Sequence, residues 1–140
     1  MLIQRLFPGL LLFLAAVGFL LPAQNGYGAP QALDGRTFTA ETGEKGRPAD
    51  GRDNITFKDG KFHSSVCDQY GFAPGDYRTA IQGTRVAFNA ETRSEKQERM
   101  VWSGTVDGDI IEGALVYYRK GWFFNPNPAP IEYWFKGKAK

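Results

Sequence analysis

The chain has 140 residues, with 17 basic and 15 acidic side chains and a single cysteine. Near-neutrality excludes an electrostatic nucleic-acid binder, which would need a basic stripe. One Cys excludes an intrachain disulfide, so the fold must stand on packing alone.

Met1 to Arg5 supplies one positive charge, and Leu6 to Leu21 is apolar apart from Pro8, Gly9 and Gly18. A charged start, an apolar run and small residues after it form the pattern of a secretory signal peptide. Residues 1–28 are expected to be this leader, cut after Gly28 or after Ala23. A spanning anchor wants about 20 apolar residues. This run is shorter and broken by Pro and Gly, so no stable membrane anchor is expected after cleavage, and no Cys stands at the cut to carry lipid. The remainder, 29–140, holds 16 basic and 15 acidic residues and suits a single domain with one modest core. The expected location is exported, periplasmic or extracellular.

From Gly35 onward, β-branched and aromatic residues alternate with polar ones in short runs separated by Gly, Pro, Asp and Asn. That is the pattern of many antiparallel strands, expected at 35–42, 53–58, 61–67, 76–82, 85–91, 99–106, 109–119 and 130–138. Two-residue turns fix which residues face each other. Asp59-Gly60 sets Phe57 opposite Phe62 and Ile55 opposite Ser64, with Thr56 and His63 on the other face. Gly83-Thr84 pairs Ile81 with Val86, Thr79 with Phe88 and Tyr77 with Ala90. Asp107-Gly108 pairs Gly104 with Ile111, Trp102 with Gly113 and Met100 with Leu115, so that the Trp covers a cross-strand Gly. Phe38, Ala40, Tyr117, Ile131, Tyr133 and Phe135 continue the inward set.

Tight turns alternate with loops of roughly seven to eleven residues, which puts all the tight turns at one end of an up-and-down sheet and all the long loops at the other. The expected fold is all-β: an eight-stranded antiparallel up-and-down barrel after a signal-peptide helix. Such a barrel is just wide enough to be filled by side chains or to hold one small ligand. The eight-strand meander, the export signal and Leu33-Asp34-Gly35-Arg36-Thr37-Phe38, where an aromatic follows a glycine, resemble the lipocalin or calycin superfamily of small barrels. The resemblance spans nearly the whole domain in pattern. Lipocalins usually have Gly-x-Trp in the first strand, whereas Thr37 holds the third position here, and the usual disulfides are absent. No ligand class carries over.

No catalytic constellation is legible. His63, the only histidine, falls on the outer face with Thr56, Lys58 and Lys61. As residues four apart on a strand, His63 and Cys67 would lie about 13 Å from each other, too far to share one ion. Cys67 is placed at the mouth end of its strand, where Asp68 would disfavour a thiolate. No Gly-x-Ser-x-Gly elbow occurs. Charged residues of the loops 43–52 and 92–98, among them Lys45, Arg47, Arg52, Arg93, Glu95 and Lys96, read as a solvated rim, with holding an anionic headgroup as the alternative. The loop 120–130 sets Trp122, Phe123 and Phe124 beside Pro126, Pro128 and Pro130. These aromatics either close the core from above or form a contact surface.

The leading expectation is a non-enzymatic exported binding protein that takes a small apolar or amphipathic ligand at the barrel mouth. The contact residues would be Cys67, Asp68, Tyr70, Phe72, Trp122, Phe123 and Phe124, with no metal and no cofactor. The alternative is an envelope protein-interaction module, an inhibitor or accessory subunit, that uses the same loops. A monomer is expected.

Overall fold

The computed structural model describes residues 32–140 together with Tyr27 and Gly28. The rest of the expected leader and its helix lie outside the described residues. Three turns set the frame. Asp59 and Gly60 both adopt positive φ, 53° and 74°, as a tight turn matched to strand twist requires. They pair Phe57 with Phe62 and Thr56 with His63. Gly83, at φ 64°, opens a turn of the Gly-first kind and pairs Ile81 with Val86. Both registers are those read from the sequence.

The third turn corrects the reading. It is centred on Gly108 and Asp109, since Asp107 pairs with Ile110 and Gly108 takes the left-handed first position at φ 57°. Trp102 therefore faces Leu115, Met100 faces Tyr117, and Gly104 faces Gly113. A slip of two residues leaves every side chain on its face. What changes is the cover over the glycines. A Cβ on Gly113 would lie 2.6 Å from the Phe135 ring and one on Gly104 would lie 2.9 Å from the Phe88 ring, so these two rings, rather than Trp102, fill the space.

The elements are β1 (Tyr27–Gly28), β2 (Thr37–Glu44), β3 (Gly51–Lys58), β4 (Lys61–Ser64), α1 (Ser65–Gln69), β5 (Phe72–Ala73), β6 (Gly75–Gln82), β7 (Arg85–Ser94), β8 (Arg99–Asp107), β9 (Ile110–Tyr118) and β10 (Ile131–Ala139). β2, β3, β4, β6, β7, β8, β9 and β10 follow one another round a closed eight-stranded antiparallel barrel. It closes where β10 pairs with β2, from Tyr133↔Glu44 to Ala139↔Phe38. β1 lies against Thr79 and Ala80 of β6, and β5 lies against β7.

A second correction concerns 61–67. The strand ends at Ser64, and Ser65–Gln69 forms a short helical turn. The cause lies on β3, where buried Asp53 accepts from Ser64 Oγ at 2.6 Å, from Ser65 Oγ at 3.0 Å and from Val66 N–H at 3.2 Å. Ser64 Oγ in turn accepts from Cys67 N–H, the bond expected of an N-cap hydroxyl. Because the chain leaves the sheet there, β4 pairs with β6 only through Lys61↔Asp76 and Phe62↔Gly75.

Aromatic rings fill the barrel. Phe57 sits 4.9 Å from Tyr77, 5.1 Å from Phe88 and 5.5 Å from Phe62, centre to centre, and Trp102 lies 4.8 Å from Phe62 and 5.8 Å from Phe135. These are contact spacings for rings in a close-packed interior. Leu33, buried in the turn before β2, plugs the base. Asp34 pins that plug by accepting from Gly60 N–H and, at 2.6 Å, from the Tyr77 hydroxyl. Arg36 lies over the Phe38 ring and donates to the Gly108 carbonyl at 2.7 Å.

Candidate functional site

The strand pairings put the turns 59–60, 83–84 and 108–109 at the base. The opposite end carries the 45–50 connection, α1 with its exit, the 95–98 turn and the segment 119–130. The loop end is therefore where the chain presents irregular structure, and it carries all seven of the expected contact residues.

Helical winding at Ser65–Gln69 turns Cys67 inward, beneath the loop end. Its Sγ lies 3.7 Å from Thr92 Oγ1 and 3.8 Å from Met100 Sδ, while Trp102 Nε1 donates to the same Thr92 hydroxyl at 3.1 Å. Burial pushes the thiol pKa up, and Ser64 and Thr92 oppose that shift in part by hydrogen bonding. A buried thiol held protonated is a packing residue and not a nucleophile. Phe72 is buried as well, edge-on to Tyr117 at 6.0 Å. Asp68 and Tyr70 stay outside. The helical turn brings Asp68 Oδ1 within 2.8 Å of His63 Nε2, so the outward histidine has an acidic partner that strand spacing did not give it.

Trp122, Phe123 and Phe124 do not close the core. Trp122 and Asn125 exchange both backbone hydrogen bonds at 2.9 Å, which makes a tight turn with Phe123 and Phe124 at its tip. They are 91 % and 79 % exposed, and Trp122 62 %. The rings touch one another, Phe124 being 5.4 Å from Trp122 and 5.1 Å from Phe123. The base of this hairpin is stiff. A Cβ on Gly121 would lie 1.8 Å from the Pro126 carbonyl oxygen, so only glycine admits that approach, and three prolines fix φ along the return.

Two half-buried tyrosines complete the rim. Tyr117 and Tyr133 face inward as read, but near the mouth. The Tyr117 phenol is pushed up first by burial and then by its hydrogen bond with Glu98, the Tyr133 phenol first by burial and then by Glu44 and Asp50. Sequence parity found their direction and missed their depth. The only available signal was that each stands at the strand end next to the long 119–130 connection.

No family model, curated protein or solved structure matches the chain. The barrel itself is consistent with a lipocalin-like fold.

Some of the rim charges are paired locally, whereas Arg47, Arg52, Glu95 and Lys96 make no ion pair among the described residues. Lys45 pairs with Glu132, Arg93 with Glu91, and Arg99 reaches Glu91 at 3.5 Å while lying 4.0 Å over the Tyr118 ring. Among the described residues no group of three or more His, Cys, Asp or Glu side chains is placed to hold a metal ion. A small pocket of about 290 Å3 opens at the rim between Glu44, Lys45, Pro130, Ile131 and Glu132. A larger open groove of about 600 Å3 lies along the outer face of β8, β9 and β10, where Gly104 and Gly113 pair beside Trp134 and Lys136.

Proposed function

We propose that the protein is an exported, non-enzymatic interaction module of lipocalin-like build, whose working surface is the loop end and whose leading contact is the aromatic hairpin 119–130. The observation that carries this is the exposure of Trp122, Phe123 and Phe124 on a stiff turn, while other aromatic rings fill the barrel interior. Exposed aromatic clusters are costly in water and mark contact sites. A preformed turn also loses little conformational entropy on binding. The barrel then serves as a rigid post.

We prefer a partner contact through these loops to the small-ligand reading of the mouth, because the barrel interior is filled with side chains. What still favours a small ligand is the pair of half-buried tyrosines above the core and the rim pocket beside Ile131. Native mass spectrometry of protein from an exporting host separates the two, since only the ligand reading expects a co-purifying small mass.

The direct test places a photo-reactive phenylalanine analogue at position 123 and, in a second protein, at Thr84 in the base turn. Irradiation in living cells should give defined protein or lipid adducts from position 123 and none from position 84. Adducts of equal yield from both ends, or none from 123, would overturn the proposal.

A further inference from the structure

We infer that the surface met by the hairpin is the interface of an anionic lipid bilayer; this rests on the loop-end reading and gives it a partner. Between Glu112 and Glu132 the chain has no acidic residue, and Arg119 and Lys120 stand at the foot of the hairpin. Among the described residues no carboxylate lies within ion-pair distance of either cation. Arg119 instead donates to the Ala129 carbonyl at 3.3 Å, inside the hairpin. Glu44, Asp50 and Glu98 act on the rim tyrosines, and Glu132 is engaged by Lys45. The order from foot to tip is thus cation, indole, phenyl. That order matches the depth order of a bilayer surface, where phosphates attract Lys and Arg, Trp favours the headgroup level and apolar side chains go deeper.

Contact area favours a lipid interface over a protein surface. Three aromatic side chains offer on the order of 500 Å2 in total, short of the roughly 800 Å2 per partner of a standard protein interface. The residues next to the three aromatics in sequence, Asn125, Asn127 and prolines, add little apolar area. A narrow, rigid wedge needs no complementary flat surface in a fluid interface, which closes around it.

Trp122 reports on the contact, because Trp102 is buried and Trp134 is partly covered while Trp122 is open to water. The experiment uses protein recovered after export, its mass showing the leader removed, titrated with vesicles of equal parts phosphatidylcholine and phosphatidylglycerol. Trp122 emission should shift to the blue, be quenched by brominated acyl chains, and revert at high salt. Phe123→Ser and Phe124→Ser should each weaken partition by about tenfold or more. Lys120→Gln should weaken it about fivefold on anionic vesicles only. Both Phe side chains are exposed, so circular dichroism should show these variants folded. Unchanged emission of the wild-type protein at low salt, or wild-type partition by a protein carrying both Phe123→Ser and Phe124→Ser, would overturn the lipid assignment. The crosslinks from position 123 would then still uphold the loop-end reading, now with a protein as partner.

Discussion

Replacing Asp53 with Ala probes how α1 is made. The carboxylate is 2 % exposed and holds three donors, of which Ser64 is fully buried. Ser65 Oγ keeps a bond from Asn54 N–H, so the uncompensated losses are the buried Ser64 hydroxyl and the Val66 amide. Hydrogen bonds to a charged group are worth about 1.5–3 kcal/mol each, and such losses do not simply add. An expected loss of about 3–4 kcal/mol follows, which in a domain of this size lowers Tm by roughly 15 °C. Asp53→Asn keeps the shape and one acceptor and should lose about half as much. Denaturant unfolding gives the total, and amide exchange locates it: protection should fall first at Val66 and Cys67 and only later in β7 to β9. A stability within about 0.5 kcal/mol of wild type, or a loss spread evenly over the barrel with the α1 amides no more open than the rest, would refute the assignment.

Trp102→Ala should destabilise by about 3–5 kcal/mol in chemical denaturation, as expected for a fully buried indole, whereas His63→Ala on the outer face should shift stability by under about 1 kcal/mol. Gly113→Ala should lose about 1–3 kcal/mol, because its Cβ would meet the Ser103 carbonyl oxygen at 2.2 Å; a neutral result would show that β8 and β9 separate easily there. Cys67 and the two rim tyrosines have pKa values raised by folding, so above their ordinary values the unfolded chain loses protons that the folded chain keeps. From neutral pH stability should therefore hold up to about pH 9, near the thiol's ordinary value of 9.0, and fall as pH rises further. Cys67→Ala should flatten the first part of that fall in a denaturant series across pH.

Faces were legible in the sequence and depths were not. Period-two alternation assigned Phe57, Tyr77, Phe88 and Trp102 to the interior, and even the misplaced Asp107-Gly108 turn kept every face, since either dipeptide satisfies tight-turn chemistry. Alternation says nothing about distance along the barrel axis. Tyr117 and Tyr133 therefore read as core when they form the rim, and Trp122 to Phe124 could not be told from a plug. The five-residue α1 lies below the length at which helical period shows. Its cause is Asp53, on another strand, so no local window contains the information. Cys67 and Phe72 moved inward with it, which leaves Asp68, Tyr70 and the 122–124 aromatics as the exposed part of the expected contact set.

The join between β4 and β6 acts as the clasp of a hoop. Every other boundary in the ring is held by four or more residue pairs, and this one by two. A closed hoop under load parts at its clasp, and here the clasp sits directly below the Asp53 knot and the buried thiol. Parting it would release Cys67 to solvent while leaving the β7 to β10 wall intact, so the rate at which the thiol becomes reactive under native conditions measures how often the barrel unrolls.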